Sequence, residues 1–120
     1  MAFEKILNQS VDKVNERTKS DETLKDILRK YDGRRVIINI KDDTIYAVKI
    51  SVEEISLEKS VILNPEDMYV EFDKEIVQKL IYRDIDFMQI MTMVLTGKIK
   101  IRNIGIEEID LIKRIIGKDI

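Results

Sequence analysis

Phe3, Ile6, Leu7, Val11 and Val14 recur every three or four positions, which lays one oily stripe along a helix. Ser20 or Asp21 then offers an N-cap for a second helix striped by Leu24, Ile27, Leu28 and Tyr31. Gly33 stands where that helix would end in a left-handed residue. From Arg35 the period shortens to two. Val36, Ile38 and Ile40 alternate with Ile37, Asn39 and Lys41, and Asp42-Asp43 reads as a turn. Tyr46, Val48, Ile50 and Val52 alternate again, so the two runs predict an antiparallel hairpin. Ile55 and Leu57 predict a third strand with Glu54, Ser56 and Glu58 facing water. Asn64-Pro65 interrupts the chain, and Met68, Val70 and Phe72 predict a fourth strand. The middle reads as a meander.

Asp73 can cap a helix carrying Ile76, Val77, Leu80 and Ile81, with Phe72 and Val77 spaced as a hydrophobic staple. Asp86 with Gln89 makes a capping box for the next helix, Ile85 and Ile90 its staple, and Gly97 its end. Ile99 and Ile101 alternate with Lys98, Lys100 and Arg102 as a short strand. A last helix follows Gly105, bearing Ile109, Leu111, Ile112, Ile115 and Ile116.

No repeat or flexible linker divides the chain, which predicts one domain over 1–120: helices to 33, strands over 34–72, two helices over 73–97, a strand at 98–102 and a helix over 105–117. This order predicts an α+β fold, a roughly five-stranded, mostly antiparallel sheet with helices packed on one face. That face would carry Ile38, Val48, Val70 and Ile101. Lys49, Glu54, Glu71 and Lys100 would make the other face wet.

Composition narrows the chemistry. The 120 residues include no cysteine and no histidine, which removes thiol catalysis, thiolate metal sites and the usual general base. Lys+Arg 21 against Asp+Glu 23 leaves a net charge of −2, so no global positive field gathers nucleic acid. The start lacks the apolar stretch of a secretory signal, and no run is long enough to insert stably in a membrane, so a cytoplasmic protein is expected. Abundant Ile and Lys with scarce Ala lean towards a thermophilic source. Of the acidic doublets Asp42-Asp43, Glu53-Glu54, Glu66-Asp67 and Glu107-Glu108, Glu53-Glu54 reads as strand neighbours that point apart and Asp42-Asp43 as turn chemistry, and the chain shows no metal spacing. There is no nucleophile–base pairing and no phosphate-cradling glycine loop. Neither an enzyme nor a cofactor is expected.

The run from Asp86 to Gly97 is the most informative. Phe87, Met88, Ile90, Met91, Met93, Val94 and Leu95 nearly encircle the helix axis, which predicts burial on every side. Such a helix is either a central core element or one wall of an apolar cavity, and polarisable thioethers suit irregular guests. The last helix has a wide apolar arc from Leu111 round to Ile106, fitting a docked cover, a movable lid or a contact with a second copy. Lys98, Lys100 and Arg102 give one strand edge a like charge, read first as a solvated face paired with nearby acids and second as a contact for an anionic headgroup.

The stretch from Met68 to Asn103, MYVEFDKEIVQKLIYRDIDFMQIMTMVLTGKIKIRN, resembles the sterol carrier protein (sterol-binding domain) family. Phe72-Asp73 matches its strand-to-helix junction, and Leu95-Thr96-Gly97-Lys98-Ile99-Lys100-Ile101 its run into the last strand. Asn103-Ile104 before Gly105 departs from the family pattern at the tunnel mouth. The resemblance implies helices and sheet enclosing an apolar tunnel for lipids, fatty acyl chains or sterols. Its walls would be Phe72, Ile76, Leu80, Phe87, Ile90, Met91, Val94 and Ile101, with Leu111, Ile112 and Ile115 as cover. Tyr46, Gln89 and Thr92 are candidate polar groups at its mouth. The expected function is therefore non-catalytic carriage of a lipid or fatty acyl ligand. The alternative is a structural or interaction domain of the same fold with a filled core, as a homodimer through the last helix.

Overall fold

Two helices open the chain, α1 (Ala2–Thr18) and α2 (Glu22–Lys30). Asp21 caps α2, its carboxylate accepting the Leu24 backbone N–H at 3.1 Å. Gly33 adopts a φ of 85°, which lets its N–H turn onto the Ile50 carbonyl at 2.8 Å and start the sheet. The strands are β1 (Arg35–Ile40), β2 (Ile45–Ile50), β3 (Ile55–Lys59), β4 (Met68–Phe72) and β5 (Lys100–Arg102). Between β4 and β5 lie α3 (Lys74–Tyr82), capped by Asp73 onto the Ile76 N–H at 3.1 Å, and α4 (Phe87–Leu95). After β5, residues 106–109 and Leu111 are helical. This computed structural model describes residues 2–59, 62–82, 87–109 and 111, except for the side chains of Ala2, Phe3, Ile6, Val77, Leu80, Ile81, Tyr82 and Phe87. The Asp86 capping box, both staples and the last helix beyond Leu111 lie outside the described residues.

The sheet is five-stranded in the order β3-β2-β1-β4-β5. Pairing is antiparallel except between β1 and β4, which run parallel with Ile38 beside Val70. This corrects the meander: β4 lies not beside β3 but across the sheet, on the free side of β1. Alternation tells which residues share a face but not which strands are neighbours. The link from β3 to β4 passes the outer face, where the Ile62 carbonyl accepts from Arg35 Nη2 at 2.7 Å. The strand reading also ran too far at Val52, because β2 ends at Ile50.

Register divides the sheet cleanly. Val36, Ile38, Ile40, Tyr46, Val48, Ile50, Ile55, Leu57, Met68, Val70, Phe72 and Ile101 share the inner face. They join Leu7, Val11, Val14, Leu24, Leu28, Ile76 and Leu111 in one hydrophobic cluster. The helices therefore cover one face, as the patterning requires. On edge strand β3, Asn15 of α1 imitates a neighbouring strand: its Oδ1 accepts the Ile55 N–H at 2.7 Å and its Nδ2 donates to the Ile55 carbonyl at 2.9 Å.

The outer face is not simply wet. Ile37 and Ala47 are fully buried there, paired in register, with Tyr69 on the other flank of Ile37. Bulky neighbours held by polar partners shield them. Tyr69 accepts from Asn39 Nδ2 and donates to Glu71 Oε1, both at 2.8 Å, and Arg35 is pinned to Asp67.

Candidate functional site

Of the residues expected to line a cavity, six belong to the core cluster or pack against it. Phe72, Ile76 and Leu111 are buried in the cluster, and Ile90, Val94 and Ile101 pack against it half-buried. Met91 is half-buried, while the side chains of Leu80 and Phe87, together with Ile112 and Ile115, lie outside the described residues. Along the middle of the inner face, Ile38, Val70 and Ile101 stand side by side in register on three adjacent strands. All three keep accessible surface, although Ile38 sits on the central strand with Val36 and Ile40 buried on either side. Met93 is likewise half-buried, and its carbonyl accepts the Ile99 N–H at 3.1 Å, tying α4 to β5. Partly accessible apolar side chains thus occur both on the inner face of the sheet and on α4.

The expectation that α4 is buried on every side is overturned. Met88 and Leu95 are 70% and 83% exposed, and Gln89, Thr92 and Thr96 are exposed with them. Ile90, Met93 and Val94 make the inward side. A helix apolar all round need not be central; at the rim of a layer it turns surplus apolar residues outwards. Ile106, 84% exposed, also falls outside the packed arc assigned to the last helix.

The proposed mouth groups do not converge. Tyr46 is buried within the core cluster beneath α1, and burial, then the nearby Glu4 carboxylate, raises its phenol pKa. Gln89 and Thr92 stand on the exposed side of α4, where Thr92 Oγ1 donates to the Met88 carbonyl at 2.9 Å.

Of the cations near the last strand, Lys98 lies outside β5. Lys100 approaches Glu71 at 3.8 Å, and Arg102 stacks 5.0 Å from the Tyr69 ring centroid. Pairing with a nearby acid describes Lys100, whereas Arg102 rests on an aromatic ring. Tyr69 itself has its pKa raised, chiefly by burial.

Two of the acidic doublets are structural anchors that spacing did not flag. Asp67, 4% exposed, accepts Arg35 Nη2 at 2.6 Å and Nε at 3.3 Å and closes the Asn64–Asp67 turn by accepting the Asn64 N–H at 3.1 Å. That pairing, above all the hydrogen bond to Asp67, raises the Arg35 pKa. Glu108 accepts the Gly105 N–H and the Tyr31 hydroxyl, each at 2.9 Å, and Lys30 Nζ reaches Glu107 at 2.6 Å. The clue was present in Asn-Pro at 64–65, a turn signal that calls for a partner to its closing acid.

Two hollows lie near these anchors. An open groove of about 800 Å³ runs between Arg34, Pro65, Asn103 and Glu108. A cleft of about 340 Å³ is lined by Arg35, Lys49, Glu58 and Asp67 among others. Both are lined by charges and include none of the expected wall residues, so neither suits an apolar guest. Among the described residues no three acids gather as a metal would require.

No family model and no curated protein matches the sequence. Solved structures do. A UbiJ-SCP2 ubiquinone synthesis protein superposes with a TM-score of 0.61 at 14% identity, over 88% of this chain and 84% of its own. Sterol carrier protein-2 like-3 from Aedes aegypti matches 92% of this chain and 97% of its own, with a TM-score of 0.51 and 15% identity. The fold is sterol-carrier-like. The stereoselective inverting sec-alkylsulfatase Pisa1 from Pseudomonas sp. carries a similar unit, matching 76% of this chain over 13% of its own at a TM-score of 0.53 and 16% identity. The sterol-carrier-like arrangement therefore occurs both as nearly a whole chain and as a small part of a larger enzyme. Among the described residues, no helix of this chain is long and apolar enough to cross a membrane.

Proposed function

We propose that the chain binds and carries a lipid or fatty acyl ligand, without catalysis, in the layer between its helices and the inner face of the sheet. The observation that carries this reading is the row Ile38–Val70–Ile101. Three aliphatic side chains of the covered face, in register from the central strand β1 out to the edge strand β5, retain accessible surface, and Ile90, Met93 and Val94 of α4 are only half-buried. A filled core would bury the central strand first. An acyl chain entering there removes apolar surface from water at roughly 25 cal/mol per Å² and needs no charged partner. The names of similar structures support the same chemistry: one is a sterol carrier protein and another acts on sec-alkyl sulfates. In this reading Phe72, Ile76, Ile90, Met91, Val94 and Ile101 are the wall positions among the described side chains and Leu111 belongs to the cover; the wall and cover positions assigned to Leu80, Phe87, Ile112 and Ile115 lie outside the described residues.

Displacement of a fluorescent fatty acid tests this directly. Micromolar or tighter binding is the expected result, and native mass spectrometry of protein purified from its own host should then weigh a retained lipid. No binding by the folded protein would reject the carrier and leave a structural or interaction domain of the same fold.

A further inference from the structure

We propose that the outward side of α4 docks on the surface of an anionic lipid bilayer. The inference rests on the carrier reading for its purpose, since a carrier must meet the membrane that supplies its cargo.

Met88 and Leu95 lie seven residues apart on one side of the helix, 70% and 83% exposed, with Thr92 and Thr96 between and beside them. The two hydroxyls are turned back onto the helix: Thr92 Oγ1 donates to the Met88 carbonyl and Thr96 Oγ1 to the Thr92 carbonyl, both at 2.9 Å. What they show outwards is methyl, so the stripe enters a headgroup layer without stripping water from an unpaired hydroxyl. Among their described side chains, α1, α2 and α3 show no such stripe. The exposed positions of α1 include Lys5, Asp12, Lys13 and Glu16, those of α2 Glu22, Asp26, Arg29 and Lys30, and those of α3 Lys74 and Glu75.

Charge selects the occupant. Between Asp86 and Glu107 the chain has no acidic residue and three cations, Lys98, Lys100 and Arg102. Lys98, exposed just past the end of α4, pairs with no carboxylate among the described residues, whereas Lys100 has Glu71. An uncharged apolar stripe ending in an ammonium that no described carboxylate neutralises complements acyl chains beneath phosphate and carboxylate headgroups. A second copy of the chain fits less well. The two side chains offer roughly 300 Å² of apolar surface, against about 800 Å² per partner in a stable protein interface. A small, shallow contact is weak as a dimer but suits a carrier that must let go.

Flotation of the full chain with vesicles of phosphatidylcholine, alone or mixed with phosphatidylserine, tests the inference. The protein should rise with the mixed vesicles. M88E/L95E should lower that binding about tenfold or more, and K98E should abolish the preference for phosphatidylserine. Both variants alter exposed side chains, so melting temperature and binding of monomeric fatty acid should stay unchanged. A wild-type protein that floats with neither vesicle, or an M88E/L95E protein that floats equally well, overturns the docking face. So does light scattering that finds a wild-type dimer dissolved by M88E/L95E. If vesicle binding follows these expectations but no fatty acid binds, the carrier reading fails and the docking face stands.

Discussion

Arg35 and Asp67 meet at 2.6 Å with their side chains 16% and 4% exposed, and this pair pins the crossing from β3 to β4 against the outer face. The same Arg35 lies 3.7 Å from Glu58, which is 43% exposed. Breaking a buried pair strands a charge, whereas losing an exposed partner does not. Asp67→Ala should therefore cost about 3–5 kcal/mol, and Glu58→Ala about 0–1 kcal/mol. Urea titration of both variants checks the difference; equal midpoints would show that the pair does not hold the crossing.

Tyr31 ties the end of α2 to the turn after β5. The Gly105 N–H, and next the Tyr31 hydroxyl, hold the Glu108 carboxyl below its usual range, while burial, and next the Glu108 bond, raises the Tyr31 phenol. A lowered acid stabilises the fold above the ordinary carboxylate range, and that contribution disappears as pH falls through the lowered value. A raised phenol stabilises below its ordinary value near ~10 and loses that contribution as pH climbs through the raised one. The tie should thus be fully formed across the neutral range and loosen at both extremes. Tyr31→Phe should cost about 0.5–1.5 kcal/mol and move the Glu108 midpoint part of the way back upwards. Carboxyl NMR titration reads it, and an unmoved midpoint rules the tie out.

Asp42 and Asn103 both take a positive φ, 59° and 58°, but for different reasons. Asp42 sits in the exposed β1–β2 turn, and no hydrogen bond of its side chain is found among the described residues. Asn103 Nδ2 donates to the carbonyls of Pro65 and Asp67 at 2.7 and 3.1 Å, so its left-handed backbone aims a clamp at the turn that carries Asp67. Asp42→Gly should be neutral or slightly stabilising, because glycine reaches this conformation without strain. Asn103→Gly gains the same relief yet loses both bonds, and should cost about 1–2 kcal/mol. Thermal melts of the two variants should move in different directions; a parallel shift would remove the clamp.

Local signals in the chain were enough for most of the described elements and several of their ends, though not for the end of β2. Period and capping marked α1, α2 and β1 to β4, and Asp21, Asp73, Gly33 and Gly97 do what their positions suggested. What did not show was anything decided between distant residues. Nothing near Met68 says that β4 runs parallel to β1, and nothing near Arg35 announces Asp67. Hydropathy counted Met88 and Leu95 as interior because it measures what a side chain prefers, not whether the layer has room for it. The candidate wall positions Phe72, Ile76 and Ile101 follow from the same signal as the core, since they fall at apolar positions of recognisable elements. Whether apolar residues fill a space or line it depends on packing, which alternation does not encode.

That distinction is testable at Val70, half-buried between Ile38 and Ile101 in the middle of the inner face. A larger side chain there must either occupy open space or collide with packed neighbours. In a tightly meshed interior, Val70→Phe would force off-rotamer side chains and cost about 1–3 kcal/mol. In an interior with accessible apolar space, the ring should take the place of the guest. Stability should then stay within about 1 kcal/mol of the parent, because the added apolar burial offsets modest strain. Fatty-acid affinity should fall about tenfold or more. Denaturation and displacement run on the same preparation separate the cases, since a carrier loses affinity and keeps stability, while a filled core loses stability and binds no fatty acid in either form.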